Sequence, residues 1–336
     1  MDGKKEHLLL LLLFIMMIFL MFFSLYLGRY HVGFSSILKI LLGRAMSNGD
    51  VSLNEVAIVL RIRLPRILSA LLVGSALSVS GAALQGLFKN PLVSPYILGV
   101  SSGSGFGAAL AILLSLSPFL VQVSALSFGI LAVSLSIVIG RSDKGNRTLS
   151  LVLAGIIVGS TFTALISLVK YVADPMDKLP AIVFWLMGSL GSVTYHEISL
   201  ILLPTAGGML LIFLLRWKLN ILAMGEEEAH ALGMNPSFAR GIVILSASMM
   251  TASAVSISGI IGWVGLVIPH ISRILFGPDY RKMVPASIIL GASYLLLMDD
   301  ISRSLISIEI PLGILTAIVG APIFAYLLKA RRTVWA

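Results

Sequence analysis

Long apolar runs separated by short polar breaks set the plan of this chain. A helix that crosses a membrane needs about 20 apolar residues, and on that measure the pattern predicts about ten spans. They lie near 8–27, 67–85, 99–115, 119–139, 149–172, 197–215, 241–258, 263–276, 286–298 and 312–328. A further apolar stretch, residues 180–190, is too short to cross and reads as a re-entrant helix. Several runs carry glycine, serine or proline every few positions, so the helices must approach closely and some must break. The fold class that follows is an all-α polytopic membrane protein, one domain over residues 1–336 with its spanning region at 8–328.

The clearest polar interruption is residues 219–241, LNILAMGEEEAHALGMNPSFARG. Gly225 precedes Glu226, Glu227 and Glu228, acids that suit the positive first turn of a helix. Gly233 stops that helix after about two turns. Asn235 reads as a cap with Pro236 at the first position of a second short helix, ending at Arg240. Charge is costly in hydrocarbon, so this pair of helices predicts a docking element on the membrane surface.

Composition sharpens the class. The 336 residues are 58% hydrophobic and 12% charged, with mean hydropathy +1.02, which excludes an ordinary soluble domain. The run at 8–27 is long for a signal sequence and lacks a clear small-residue cleavage site, so it reads as a retained first span. With no cysteine, disulfides, thiol catalysis and cysteine metal sites are excluded. A net charge of +9 fits basic flanks of spans rather than a nucleic-acid surface, because no soluble domain carries it. With the N-terminus inside, most lysines and arginines fall inside, yet a basic cluster between Arg29 and Arg66 falls outside. An acidic partner is the simplest reason for it.

Two similar segments, ALSVSG at 76–81 and AVSISG at 254–259, close the second and seventh spans and give the fold inverted-repeat character. Arg61, Arg63 and Arg66 surround Pro65 before the second span, and Arg303 joins them from the ninth-to-tenth connection. Their forks suit carboxylates, which favours docking over simple anchoring for Arg63, Arg66 and Arg303. Asn90-Pro91 signals a tight inner turn. Residues 99–103 match G-x-S-x-G, and His270 could serve Ser101 as a base, but the required strand-to-helix elbow is absent from the pattern. No G-x-x-x-x-G-K-[ST] occurs, so ATP, if used, binds another subunit. Glu197, Asp299 and Asp300 lie at span ends, which argues against an ion-coupled carrier. His230 and His270 lack a second ligand at helical spacing and read as structural, with no metal site.

Several stretches together carry a family resemblance over residues 61–329. They are RIRLPRILSALLVGSALSVSGAALQGLFKNPLVSPYILGVSSGSGFG, LNILAMGEEEAHALG, GIIGWVGLVIPHISRILFGPDYRKMVPAS and EIPLGILTAIVGAPIFAYLL. The chain resembles FecCD-family permeases, the membrane subunits of type II ABC importers for iron-siderophores, haem, cobalamin and, in some members, molybdate. The resemblance implies a homodimer of ten-span subunits in the cytoplasmic (inner) membrane, both termini cytoplasmic. Two ABC ATPase subunits clamp it inside and one substrate-binding protein caps it outside, with lipid around it and no nucleic acid.

The resemblance also implies no enzyme activity and no cofactor in this chain, ATP and magnesium being held by the ATPase. It assigns ATPase coupling to Met224, Gly225, Glu226, Glu227, Glu228, Ala229, Leu232, Gly233 and Arg240. Binding-protein docking falls to Arg63, Arg66 and Arg303. The cytoplasmic gate comprises the turn Asn90, Pro91 and Leu92 and a loop of Arg147, Thr148 and Leu149. A pathway at the dimer interface is lined by apolar or small residues of the fifth and tenth spans and the 180–190 helix. Iron-siderophore is the expected substrate, ahead of cobalamin, haem and molybdate. An ion-coupled carrier, or an intramembrane hydrolase using Ser101, is the alternative.

Overall fold

The computed structural model describes residues 3–43, 51–141 and 147–330, and every regular element among them is helical. In chain order these are α1 (Gly3–Tyr26), α2 (Phe34–Leu41), α3 (Leu53–Ala57), α4 (Leu64–Leu87), α5 (Val100–Leu113), α6 (Pro118–Ile139) and α7 (Arg147–Val172). They continue with α8 (Lys178–Met187), α9 (Tyr195–Met224), α10 (Glu226–Ala231), α11 (Pro236–Ser258), α12 (Val264–Phe276), α13 (Tyr280–Ser304) and α14 (Leu312–Ala330). Among the described residues, 7 helices are long and apolar enough to cross a membrane. The remaining predicted spans are the shorter α5, α12 and α14, and α8 is the short helix predicted at 180–190.

Helix lengths differ from the apolar runs for identifiable reasons. The second span is the end of a 35-residue helix beginning at Leu53, about 52 Å at the α-helical rise and longer than a hydrocarbon core. Its start is capped reciprocally by Ser52 and Glu55. Residues Ile58–Arg63 widen into a π-helical turn just before Pro65, where a proline ring would clash with the carbonyl four residues back. At the other extreme, α5 has 14 residues and α12 has 13. Gly99, at φ +77°, sets the start of α5, and the irregular segment after Gly259 sets that of α12.

The core is α4 and α11, buried along most of their length, with α9, α12 and α13 around them. Small residues make this possible. A Cβ at Gly74 would lie 2.2 Å from the Gly291 carbonyl oxygen, and one at Gly81 1.8 Å from that of Gly265. Backbones touch there, so only glycine fits. α4 and α13 are antiparallel: Arg66 meets Asp299, Ser78 meets Ser287, and Gly86 faces Tyr280. The bundle therefore has two distinct ends. One, here the arginine end, holds Arg66, Asp299 and the C-terminus of α1; the other, the docking end, holds Lys89, Met224 and Tyr280. The expected repeat is unequal in position. Residues 254–258 do close α11, but 76–81 lie inside α4, which runs on to Leu87.

Candidate functional site

At the docking end, α10 forms where the three acids and the glycine predicted it, and Gly233 takes φ +73°. The Asn235 side chain accepts from the Phe238 N–H at 3.1 Å. The second short helix is a correction: residues up to Arg240 are the first turn of α11, which continues to Ser258. The preceding span likewise continues as helix to Met224, so the element expected to dock a partner is reduced to α10, held between two long helices. Arg240 pairs with Glu226 and ties α10 to α11, while Ala229 and Ala239 are buried beneath. Met224, Leu232 and Phe238 are 63%, 62% and 69% exposed, beside exposed Glu227 and Glu228. An apolar patch edged by acids suits a protein partner.

The turn at Asn90 lies next to it. The Asn90 side chain accepts from the Leu92 N–H at 2.9 Å, making a short local ring around Pro91. A groove of about 680 Å³ runs between this turn and the end of α9, lined by Gln85, Lys89, Asn90, Met224, Arg273 and Tyr280. Asn220 braces its far wall, donating to Asp279 at 2.7 Å and accepting from the Tyr280 N–H at 2.9 Å. Asp279 caps α13 by accepting from the Arg281 N–H. Burial alone would raise its carboxyl, but bonds from Arg281 and Asn220 outweigh that and hold it at about 2. The second gate segment departs from expectation: Arg147, Thr148 and Leu149 are no loop but the first turn of α7. α7 meets the chain after the Asn90 turn farther along, where a Cβ at Gly155 would touch the Ile97 carbonyl.

At the arginine end, the three arginines expected to dock a binding protein lie inside the bundle. Arg63, Arg66 and Arg303 are only 3%, 6% and 7% exposed, each closed on groups of this chain. Arg66 donates through Nε to both oxygens of Asp299, at 3.0 and 2.9 Å, and through Nη1 to Glu309 at 2.9 Å. Arg303 bonds Asp300 at 2.6 Å and the Ser24 hydroxyl at 2.7 Å. Arg63 donates to the carbonyls of Leu25, Tyr26 and Tyr30, finishing the C-terminus of α1. The cause is desolvation: a guanidinium out of water must find carboxylates or carbonyls. The neighbouring Arg29 and Arg61 remain exposed.

Two hollows flank these ends. One of about 540 Å³ near the arginine end is lined by Gln122, Lys178, Trp185, Ser189, Ser256 and Ser258. The other, about 590 Å³, follows α7 past Tyr96, Ser102, Ser160, Thr163 and Ser167. Hydroxyls are thus part of an α7 surface expected to be apolar or small. Gly99 precedes α5 and residues 100–103 form its first turn, so the G-x-S-x-G match has no strand-to-helix elbow. His230 is exposed, and His270 is buried with its ring 5.6 Å from that of Phe324.

Residues 15–330 match the model of the FecCD transport family. The chain belongs to the FecCD family. The molybdate import system permease protein MolB of Haemophilus influenzae is 41% identical over 304 residues, covering 90% of each chain. A probable iron chelatin transport system permease protein of Helicobacter pylori is 40% identical over 277 residues, covering 82% of this chain and 84% of that one. A metal-chelate-type ABC transporter solved in an inward-facing conformation superposes with TM-score 0.85 at 38% identity, over 96% of this chain and 99% of that one. This FecCD chain is therefore a multi-pass permease of the ABC-transporter class.

Asp299 and Asp300 are legible in the sequence as span-end acids, but not as partners of the arginines. The i, i+4 spacing of Asp299 and Arg303 was a signal that could have found this. Ser24 and Glu309 carried none, being far from their partners in the chain.

Proposed function

We propose that this chain is the membrane subunit of an ATP-driven importer, working as a homodimer with two ATPase subunits and one extracytoplasmic binding protein. It has no enzymatic role; the ATPase supplies ATP and magnesium chemistry. The observation that carries the reading is the α10 surface, where Met224, Leu232 and Phe238 lie open beside Glu227 and Glu228. That surface runs from the end of α9 over the short α10 to the first turn of α11, so a partner that shifts α10 shifts two spans together. The docking end then faces the cytoplasm of a cell whose inner membrane holds the protein. A binding protein caps the other end, where exposed Arg29 and Arg61 are the first cations to meet its carboxylates.

The proposed cargo is a metal complex, an iron chelate first. The metal-chelate-type structural relative and the iron chelatin permease support that reading. Molybdate is the second reading, supported by similarity to MolB over 90% of both chains. Alternating access past the α7 hydroxyls passes either cargo without a tight site in this chain.

The test is a pull-down from native membranes with mass identification of the partners and metal analysis of the binding protein. An ATPase and a binding protein loaded with iron are the expected result. Molybdenum in that binding protein would move the cargo to the second reading. An intact permease recovered alone from membranes that retain a transport activity would overturn the importer reading and favour an ion-coupled carrier.

A further inference from the structure

We infer that Lys89 is the positioning residue that ties the Asn90 turn to the docking helix, so that the two move as one. The inference rests on the importer reading above and deepens it by naming the mechanical link. α4 ends with the Lys89 N–H bonded to the Gly86 carbonyl at 3.3 Å and the Asn90 N–H bonded to the Gln85 carbonyl at 3.1 Å. This paired pattern requires a left-handed residue just past the helix, a position that glycine normally fills. Here it is Lys89, at φ +49°. Among the described residues the same paired pattern closes α10 on Gly233, at φ +73°, and α5 on Ser115, at φ +55°.

A lysine in a strained position needs a reason, and its side chain supplies one. The Nζ donates at 2.7 Å to the carbonyl oxygen of Met224. Met224 is the last residue of α9, and Gly225 and α10 follow at once. That carbonyl belongs to the last turn, where no intrahelical N–H reaches it. The ammonium also lies at the negative ends of both α4 and α9. The bond spans the 680 Å³ groove that otherwise separates the turn from the docking element. On the gate side, the Asn90–Leu92 bond and the ring of Pro91 stiffen the turn. A pull on Met224 is therefore delivered to the turn as a displacement rather than absorbed by a loose loop.

The chain has no cysteine, which allows a clean test. Spin labels go on Leu92→Cys and Ala231→Cys, both exposed, in the full complex with its ATPase. Their separation is measured without nucleotide and again after trapping with ADP and vanadate. With Lys89 present, the pair should keep one narrow distance in both states. With Lys89→Gly, thermal stability should hold or rise, because glycine suits the left-handed position, and the ATPase should stay bound, yet the distance should shift between states. Lys89→Arg, which keeps a cationic donor, should restore the invariant distance. A Lys89→Gly pair as constant as the parent, or a parent pair that itself shifts, overturns the inference while leaving the importer reading intact. An ATPase that never joins the parent chain overturns both.

Discussion

Three arginines at one end of the bundle show how burial changes the meaning of a residue. Arg66 and Asp299 are both deeply buried and bonded through two oxygens, so removing one partner leaves a charge stranded. Asp299→Asn should cost about 3–5 kcal/mol of stability, read as a fall in the detergent melting temperature. The double variant Arg66→Met/Asp299→Leu should recover much of that loss, because the carboxylate it unpairs, Glu309, is 40% exposed and Arg303 keeps Asp300. Asp279 offers a gentler case at the opposite end. Asp279→Ala should cost about 1 kcal/mol by losing the α13 cap, and Asp279→Ser should regain most of it. Its carboxyl is held at about 2, below the value in an unfolded chain. The stabilisation it provides is thus complete above about pH 4 and fades as pH falls towards 2; acid unfolding of the Ala variant should lack that component.

At the scale of elements, helix ends and helix contacts were legible to different degrees. The starts of α10 and α11 follow from Gly225, the three acids, Gly233 and Asn235, all acting within a few residues. The apolar runs could not give the true lengths of α9 and α4, because helices continue through polar residues wherever backbone bonds persist. Arg216 and Lys218 ended the predicted span but not the helix, and Pro65 widened a turn rather than stopping one. Contacts between elements depend on surfaces meeting. Gly74→Val should destabilise by roughly 1–3 kcal/mol or more through the clash with Gly291, measurable as loss of folded permease after detergent extraction. On the surface of α10, Glu227→Lys with Glu228→Lys should release the ATPase in co-purification without lowering the melting temperature. Glu226→Lys should also loosen α10, because it breaks the pair with Arg240.

For the whole molecule, the proposed orientation puts the two ends in different compartments. An impermeant thiol reagent should label Ala231→Cys only from the cytoplasmic side and Leu116→Cys only from the opposite side of sealed vesicles. Labelling of both from one side would refute the proposed orientation. The membrane class, the approximate span count, the short helix α8 and the start of α10 were determined by the sequence alone. Each depends on hydropathy or capping within a few turns of chain, where physical cause and sequence position coincide. Tertiary structure decided which charges would be spare. Arg66 meets Asp299 across 233 positions, and Lys89 finds its acceptor on a carbonyl 135 positions away. Partners so distant are chosen by how α4, α9 and α13 pack, and that packing exists only once the small residues of α4 let the helix backbones touch.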